Sequence, residues 1–578
     1  MTNYRKEYER WLDSPALSDE EWRELDAIRD NDDEIKSRFR GPLEFGTAGL
    51  RGVMGAGLAR MNIHVVRWAT QAFASLIVAE GDEARHKGVV IAHDCRINSP
   101  EFAREAACVC AASGIHVRLF ESLRPTPELS FGVIHYGATA GINITASHNP
   151  KAYNGYKVYW SDGAQLPPHH AEVVAQNMAG IDIFSGVNAM DFDEAVAKGL
   201  IEIIGKETDE LFLQNVLSQA IDRSAVKAVA DDFQVVYTPF HGAGHILVPE
   251  SLRRLGLKHI HPVPEQMVID GAFPTVESPN PENPEGFYLA VDLAKKVNSD
   301  LIIGTDPDSD RVGVMARGRD GQFHTITGNQ MGALLTDYVI SARQKNGTMP
   351  EKPVVLSTIV STSMTRAICE KNNVAYGETF TGFKFMAERL AGYAAAGTGE
   401  QYLLAFEESY GYMLGDYVRD KDAVTASMMI AEMAAHYYQQ GMTLLDALEG
   451  LYAKYGTFVE KTVNVYMEGV DGPERMAALM TGLRADPPAE LAGQRVVRVR
   501  DYKDGTVAVP GLGAVERTPI SGSNVLYFEL EQDTNFIIRP SGTEPKIKIY
   551  ILAKGADKAQ CQTRVDACAA AAEALGRK

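Results

Sequence analysis

Strand-like and helical stretches alternate along most of this chain, and that alternation constrains its fold more than any other feature. An apolar run at 88–92 precedes a helical stretch that begins near Ser99, and a second apolar run follows at 115–120. The same order restarts at 233–237 and again at 353–357. Because helices that connect parallel strands cover the faces of the sheet, the pattern predicts three α/β units in series, each with a mainly parallel sheet.

The last part of the chain has a different pattern. Apolar and polar residues alternate at 461–467, 495–500, 524–530 and 546–552, which is typical of an antiparallel sheet, and an alanine-rich helix follows. Two amphipathic helices are predicted within residues 4–30, the second opened by a capping box from Ser18 to Glu21, and Asp422 is predicted to cap a long helix that runs to about Gln440. With 578 residues, the chain can form several cores. The predicted domains are 1–205, 206–320 and 321–456, all α/β, and 457–578, which is α+β.

Charge and cysteine usage limit the partners and the compartment. The formal net charge of -19 argues against binding to nucleic acid or to an anionic membrane, because both require a basic surface. The six cysteines form no C-x-x-C pair, which favours reduced thiols. The sequence shows neither a signal-peptide pattern nor an apolar run long enough to span a membrane. We therefore expect a cytoplasmic protein whose partner is a small molecule.

An apolar stretch runs straight into Asp306, Asp308 and Asp310. Carboxylates at alternate positions of an extended segment point to the same side, so the three can bind one divalent cation, which suggests Mg²⁺. An EF-hand calcium loop also begins with acidic residues at alternate positions. Here Arg311 occupies its glycine position and Arg317 its final glutamate position. A solvated acidic turn is the other alternative.

Ser147 follows a strand-like stretch, 141–145, on a polar turn, and α/β sheets bind ligands at such positions. This serine can be a nucleophile, a phosphate-binding hydroxyl or a turn residue. The G-x-S-x-G frame of acyl transfer is absent, and a hard cation elsewhere in the chain favours phosphoryl transfer over ester hydrolysis. Since no nucleotide-binding G-x-x-x-x-G-K-[ST] loop is present, the phosphate must come from the enzyme or the substrate.

Two further segments carry groups suited to a phosphorylated, hydroxyl-rich ligand. Residues 539–546, Arg-Pro-Ser-Gly-Thr-Glu-Pro-Lys, combine a guanidinium group, hydroxyls and a glycine between two predicted strands. Residues 407–409, Glu-Glu-Ser, come at the end of another predicted strand. A connecting turn and a solvated acidic turn are the respective alternatives.

Four segments, in order along the chain, resemble motifs of the α-D-phosphohexomutases, the phosphoglucomutase and phosphomannomutase superfamily. They are 145–150 (Thr-Ala-Ser-His-Asn-Pro), 306–311 (Asp-Pro-Asp-Ser-Asp-Arg), 406–412 (Phe-Glu-Glu-Ser-Tyr-Gly-Tyr) and 539–545 (Arg-Pro-Ser-Gly-Thr-Glu-Pro). Supporting segments are 46–52, 94–96 and 381–384. The resemblance covers nearly the whole chain and is greatest to the longer bacterial phosphoglucomutases. It implies four domains around a central cleft, three α/β with mixed, mainly parallel sheets and a C-terminal α+β domain with an antiparallel sheet.

The resemblance also implies a reaction and its cofactor. Ser147 would carry a phosphate, and one Mg²⁺ per active site would bind Asp306, Asp308, Asp310 and an oxygen of that phosphate. The reaction implied is interconversion of glucose 1-phosphate and glucose 6-phosphate, with glucose 1,6-bisphosphate as intermediate and activator.

Other site residues are implied by position within the matching segments. Those lining the transfer site are Arg51, His148, Lys157 and Arg311. Those holding sugar hydroxyls are Glu407 and Ser409. Those defining the sugar are Thr381, Gly382 and Lys384. Those binding the phosphate that is not transferred are Arg539, Ser541, Gly542 and Thr543.

One segment departs from the pattern of many bacterial members, in which Gly-His follows the Glu-x-Ser of the sugar loop. Here the stretch is Tyr410-Gly411-Tyr412, so proton transfer is assigned to Lys157, Arg51 or His148. Phosphomannomutase, phosphopentomutase and glucose-1,6-bisphosphate synthase activities are alternatives within the superfamily. A sugar-phosphate sensor is disfavoured because it needs no nucleophile beside a metal. The protein is expected to be a monomer or a dimer.

Overall fold

The computed structural model describes residues 4–467, 472–541 and 546–575. The chain divides into two compact units. The first comprises the residues up to Thr327 together with Ser409–Thr443, and the second comprises Gly328–Glu408 and the residues from Leu444 onward. Among the described residues, no helix combines the length and the apolar character needed to cross a lipid bilayer.

A mixed sheet of six strands forms the first α/β domain. Its strands, in spatial order, are Leu50–Val53, Tyr153–Trp160, Ala140–Ile144, Val89–His93, Val117–Phe120 and Ile201–Ile204. The last four pair in parallel, and the first two pair antiparallel with their neighbours. All five residues of both Val89–His93 and Ala140–Ile144 are buried, as expected for strands covered on both faces. The predicted mixed, mainly parallel sheet is confirmed.

Some helices of this domain cover the sheet, and three others precede its first strand in the chain. They are Tyr4–Leu12, Asp19–Asp26, Asp32–Phe39, Ile63–Ala79, Asp82–Lys87, Ser99–Ala112, Thr126–His135, Pro168–Gly180 and Phe192–Ala197. The second begins at the predicted capping box, in which the Ser18 side chain accepts from the backbone N–H of Glu21. A third amino-terminal helix, Asp32–Phe39, was not predicted, and it buries Ile35 and Phe39.

The second α/β domain belongs to the same unit and contains a five-stranded sheet. Its strands, in spatial order, are Phe323–Ile326, Val312–Arg317, Leu301–Thr305, Gln234–Thr238 and His259–Pro262. Leu301–Thr305 is parallel to Gln234–Thr238 but antiparallel to Val312–Arg317. The helices of this part of the unit are Lys206–Ser218, Arg223–Val229, Gly244–Leu255, Pro264–Met267, Tyr288–Val297 and Ala423–Gln439, with a 3-10 helix at Pro284–Phe287. As predicted, Asp422 caps Ala423–Gln439, by accepting from the N–H groups of Val424 and Thr425.

The third α/β domain lies in the second unit. Strand Pro353–Thr358 pairs in parallel with Ala375–Thr379 and with Gln401–Glu407. Its helices are Gly328–Asn346, Met364–Lys371, Phe383–Ala396 and Leu444–Tyr455.

An antiparallel sheet forms the carboxyl-terminal domain, as predicted. Its strands, in spatial order, are Thr457–Tyr466, Lys546–Gly555, Thr534–Pro540, Leu526–Leu530, Gln494–Asp501, Thr506–Val509 and Gly513–Arg517, with the short Glu490–Leu491 beside Gln494–Asp501. The helices Gly472–Ala485 and Lys558–Leu575 complete the domain. Phe528, Phe536 and Ile549 are fully buried in its core. The sequence did not predict the last two strands, because Gly513–Arg517 is exposed throughout and Thr506–Val509 fully buries only Val507, so neither has a clear apolar periodicity.

Candidate active site

The turn between strands Leu301–Thr305 and Val312–Arg317 carries the three predicted metal ligands. The prediction that they lie on an extended segment is wrong, because the two strands are antiparallel and the chain reverses between them. Ser309, within the turn, has a φ of 51°. The reversal still brings the carboxylates together. Ligand oxygens of Asp306, Asp308 and Asp310 all lie within 4.8 Å of one another.

Two oxygens of this cluster fit a bound cation. All three aspartates are at most 1% exposed. Among the described residues, the buried Oδ1 atoms of Asp308 and Asp310 have no hydrogen-bond partner. A buried carboxylate oxygen without a partner is costly, and divalent cations such as Mg²⁺ and Ca²⁺ prefer such oxygens as ligands. The residues present therefore fit a divalent metal ion.

The pKa values of the aspartates show how their charge is balanced. Burial, together with the charges of Asp308 and Asp310, raises the pKa of Asp306 well above its usual range. Burial also acts to raise the pKa of Asp310, but Lys157 and Lys421 outweigh it and the pKa is lowered. Two lysines and Arg311 thus compensate part of the negative charge, and a divalent cation would compensate more of it.

Lys157 lies on strand Tyr153–Trp160, opposite Asn143 on the neighbouring strand. Its Nζ atom is 2.7 Å from Oδ2 of Asp308 and 3.2 Å from Oδ2 of Asp310. Burial acts to lower the pKa of Lys157, but these carboxylates raise it overall. Its charged form is therefore favoured in this arrangement.

Lys421 is a second buried lysine at the cluster, and sequence reasoning missed it. Its Nζ atom is 3.2 Å from Oδ2 of Asp310 and 3.0 Å from Oδ1 of Asp420. It lies just before the apolar helix Ala423–Gln439, where the sequence analysis assigned a role only to the helix cap, Asp422. A lysine between two acids at the start of a buried helix was the available signal.

Ser147 lies on the turn after strand Ala140–Ile144 and faces the aspartates. It is 4% exposed. Its hydroxyl donates to Oδ2 of Asp306 at 2.8 Å, and Nδ1 of His148 is 3.2 Å from the same Oγ atom. The φ of Ser147 is 52°, a strained value for a residue other than glycine. The predicted phosphate carrier and a predicted metal ligand are therefore in direct contact.

Two arginines complete the predicted transfer site. Arg51 donates through Nη1 to Oδ1 of Asn149 at 3.0 Å, and burial lowers the pKa of its guanidinium group. Arg311 donates through Nη1 to Oε1 of Glu282 at 2.6 Å and to the carbonyl of Ser409 at 3.1 Å. The backbone N–H of Arg311 also donates to Oδ1 of Asp306 at 2.9 Å, and its Nε atom lies 3.9 Å from Oδ1 of Asp310, so Arg311 lies directly beside the carboxylate cluster.

Thr126, also missed, supports Asp308 from the start of helix Thr126–His135. Its hydroxyl donates to Oδ2 of Asp308 at 2.8 Å and its backbone N–H donates to the Asp308 carbonyl at 2.8 Å. Asn143 donates to the Thr126 hydroxyl at 2.7 Å. Because Thr126 precedes Asp308 by 182 residues, no local sequence pattern indicated the contact.

The predicted sugar-binding residues of the second unit meet at the start of helix Phe383–Ala396. The Glu407 side chain accepts from the backbone N–H of Gly382. Gly382 has a φ of 123°, which favours glycine. In the described part of the chain, the buried Thr381 hydroxyl has no hydrogen-bond partner.

Cationic groups of the same unit lie near these residues. Burial and the charge of Arg539 lower the pKa of Lys384, so the two cations are close enough to repel each other. Arg539 donates to the Tyr550 hydroxyl at 3.4 Å. The backbone N–H of Ser541 donates to the carbonyl of Lys546 at 2.9 Å. Gly542 and Thr543, also predicted to bind phosphate, lie outside the described residues.

Comparison with known protein families gives consistent matches over most of the chain. Residues 42–183 match phosphoglucomutase/phosphomannomutase, alpha/beta/alpha domain I. Residues 210–319 match domain II of the same family, and residues 327–455 match domain III.

Individual proteins give the same result. A phosphoglucomutase of Staphylococcus aureus strain MRSA252 is 36% identical over 533 residues, which are 91% of this chain and 92% of that protein. Among solved structures, a phosphoglucomutase/phosphomannomutase family protein from Burkholderia thailandensis has a TM-score of 0.65 and 18% identity, over 92% of this chain and 97% of that one. The open form of parafusin, a Paramecium phosphoglucomutase, has a TM-score of 0.66 and 16% identity, over 93% and 96%. At these identities the two structures support the fold alone.

Proposed function

The chain belongs to the phosphoglucomutase/phosphomannomutase family, and from this membership and the site geometry we propose that it interconverts α-D-glucose 1-phosphate and glucose 6-phosphate. One observation carries the proposal. The Ser147 hydroxyl is 2.8 Å from Asp306 in a buried cluster of three carboxylates. A hydroxyl nucleophile beside a divalent-cation site is the arrangement that phosphoryl transfer requires. The relative named phosphoglucomutase supports glucose as the sugar.

We infer that the cation is a single Mg²⁺ held by Asp306, Asp308 and Asp310 with an oxygen of the phosphate on Ser147. When bound, it would neutralise charge on the phosphoryl group during transfer. The Oδ1 atoms of Asp308 and Asp310, which accept no hydrogen bond from the described residues, support this assignment. Thr126 and Lys157 fix the other oxygen of Asp308, so that carboxylate is already oriented.

The transfer step follows from the position of Ser147. A hydroxyl of the sugar phosphate attacks the phosphorus atom, the new bond joins phosphorus to the sugar oxygen, and the bond to Ser147 Oγ breaks. The sugar hydroxyl gives up its proton and Ser147 Oγ regains one. The groups assigned to these proton transfers are Lys157, Arg51 and His148. His148 Nδ1 is within reach of the serine oxygen, while the charged form of Lys157 suits it to stabilise negative charge.

The cycle then needs the bisphosphate to present its other phosphate to Ser147. Glucose 1,6-bisphosphate is thus the intermediate, and it can also phosphorylate Ser147 to activate the enzyme. Glu407 and Ser409 are assigned to sugar hydroxyls, and Thr381, Gly382 and Lys384 to the sugar itself. Arg311 is assigned to the transfer site. The residues assigned to the second phosphate are Arg539, Ser541, Gly542 and Thr543.

The domain limits 1–205, 206–320, 321–456 and 457–578 belong to this proposal. A cytoplasmic location and a monomeric or dimeric state stay predictions of the sequence.

A substrate panel tests the sugar. The values of kcat/KM are measured for the 1-phosphates of glucose, mannose and ribose, and for formation of glucose 1,6-bisphosphate from a phosphate donor. Glucose 1-phosphate should give the highest value. A higher kcat/KM for mannose 1-phosphate, ribose 1-phosphate or bisphosphate synthesis would show that the protein is instead a phosphomannomutase, a phosphopentomutase or a glucose-1,6-bisphosphate synthase. Tight binding of glucose phosphates without turnover would make the protein a sensor.

A further inference from the structure

The backbone of Ser147 is held on both sides by one buried ion pair. Arg96 and Asp94 are at most 1% exposed, and Nε of Arg96 lies 3.2 Å from Oδ2 of Asp94. Among the described residues, the hydrogen bonds of Asp94 and Arg96 do not involve the three aspartates. Their contacts are instead directed to the segment around the serine.

Asp94 controls the amino side of Ser147 through a relay. The backbone N–H of Ser147 donates to the Thr145 hydroxyl at 2.8 Å, and that hydroxyl donates to Oδ2 of Asp94 at 2.7 Å. The other oxygen of Asp94 accepts from the N–H of Arg96 and from the Ser99 hydroxyl, both at 2.8 Å. One oxygen of Asp94 is therefore held by Arg96 and Ser99, while the other oxygen orients Thr145.

Arg96 controls the carboxyl side of Ser147. One end of its guanidinium group, Nη2, donates to the carbonyl of Ser147 at 2.6 Å and also to that of Asn149. The other end, Nη1, donates to the carbonyls of Pro150 and Tyr153, both at 3.0 Å. One planar side chain thus gathers four carbonyls of the turn, which is possible because guanidinium donors are spread in a fixed plane.

The surrounding packing keeps this guanidinium group in place. The ring centroid of Phe273 lies 5.1 Å from Cζ of Arg96, a cation–π distance. Gly271 approaches the chain so closely that a Cβ atom there would lie 2.6 Å from the Cys95 carbonyl. The segment around Gly271 and Phe273 therefore covers the ion pair.

We propose that the Asp94–Arg96 pair is a positioning device that holds Ser147 in its strained backbone conformation, so that Oγ points at Asp306. A φ of 52° persists only where several contacts impose it. Here the N–H and the carbonyl of the same residue are both fixed by one pair. Neither Asp94 nor Arg96 contacts the reacting atoms, and the inference rests on Ser147 as the phosphate carrier.

The test uses Arg96→Lys in the full-length protein. Lysine keeps the charge but cannot bridge four carbonyls. We expect kcat to fall about 100-fold, the effect expected when a reacting group is misplaced by about 1 Å. KM for glucose 1-phosphate should change less than about threefold, since no substrate contact is lost. The rate at which glucose 1,6-bisphosphate phosphorylates Ser147 in a single turnover should fall in the same proportion as kcat.

Arg38→Lys is the matched control. Arg38 is also a shielded arginine, and it binds Glu24, Glu34 and the Ala56 carbonyl at the amino-terminal helices. It should alter thermal stability without changing the rate of Ser147 phosphorylation. If Arg96→Lys fails to fold, Thr145→Val removes the relay hydroxyl with little change of shape, and its phosphorylation rate should fall at least about tenfold.

The outcomes separate the two proposals. Phosphorylation at the wild-type rate in folded Arg96→Lys, or in Thr145→Val where Arg96→Lys does not fold, would overturn the positioning role. An equally large fall in the rate of Ser147 phosphorylation in Arg38→Lys would also overturn the positioning role. Absence of phosphate on Ser147 in the wild-type protein during turnover would instead overturn the proposed function.

Discussion

Ser147 Oγ lies 2.8 Å from Oδ2 of Asp306, although 159 residues separate them in the chain. Each residue follows a buried strand of a different sheet within one compact unit. The loops at the carboxyl ends of these two strands therefore face each other, which is where α/β sheets bind ligands. A phosphate on Ser147 would be placed directly at the carboxylate cluster.

Replacing Asp308 with asparagine should reduce kcat much more than it changes KM. The carboxylate lies at the site of phosphoryl transfer, where charge stabilisation serves the transition state. We expect kcat to fall about 100-fold or more, with KM within about threefold. Steady-state kinetics at saturating Mg²⁺ measure both.

Asp320→Asn is the control for this change. Asp320 is an exposed aspartate of the same domain that contacts His324, and its loss should leave kcat unchanged. Chelation of divalent cations should reproduce the Asp308→Asn effect in the wild type, with recovery on addition of Mg²⁺. A rise in KM of about tenfold with kcat intact would contradict the assigned role of the metal.

Arg539→Ala should act mainly on KM. Its guanidinium group is assigned to the phosphate that is not transferred, and a charge-assisted hydrogen bond contributes about 1.5–3 kcal/mol. KM for glucose 1-phosphate should rise about 10- to 100-fold, with a smaller change in kcat. Arg495→Ala is the control, because Arg495 pairs with Glu531 on the surface of the same domain. An unchanged KM in Arg539→Ala would remove Arg539 from the phosphate site.

Glu460 should make stability depend on pH. Burial raises its pKa from 4.5 to about 7, although the hydroxyl of Thr362 acts to lower it. The folded state therefore binds the proton more tightly than the unfolded state, and this contribution to the free energy of unfolding falls as pH rises from about 4.5 to about 7. The loss amounts to ~1–3 kcal/mol.

Glu460→Gln removes the titration, so its thermal midpoint should fall less than that of the wild type between about pH 5 and about pH 8. Glu449→Gln, a surface change on helix Leu444–Tyr455, should keep the wild-type pH dependence. Equal pH dependence in Glu460→Gln and the wild type would show that Glu460 does not carry it.

Local patterns predicted the elements whose stabilising contacts are themselves local. The cap of Ala423–Gln439 by Asp422 and the capping box of Ser18 and Glu21 join residues two or three positions apart. The alternation of apolar and polar residues likewise predicted the antiparallel sheet of the last domain. The strand that leads into Asp306 was predicted, but the turn after it was not, because that reversal, with Ser309 at positive φ, depends on the pairing of two strands.

Residues that contact distant partners could not be predicted from local patterns alone. Thr126 and Lys421 reach the aspartate cluster only because the folded chain brings three separate segments together. Arg96 was noted within a supporting motif, yet its role depends on four carbonyls that lie more than 50 positions further along the chain. Side-chain orientation at long range is a property of tertiary packing.

The most direct measurement is the site of phosphate on the protein during turnover. Purified protein is incubated with glucose 1,6-bisphosphate and Mg²⁺ and mapped by peptide mass spectrometry, alongside Ser147→Ala and Ser251→Ala. Ser251 is a buried serine whose hydroxyl donates to the carbonyl of Val248 within its own helix. The account predicts one phosphate on Ser147 in the wild type and in Ser251→Ala, transferred to added glucose 1-phosphate, and neither phosphate nor mutase activity in Ser147→Ala. Wild-type activity in Ser147→Ala, or phosphate on another residue during turnover, would contradict it.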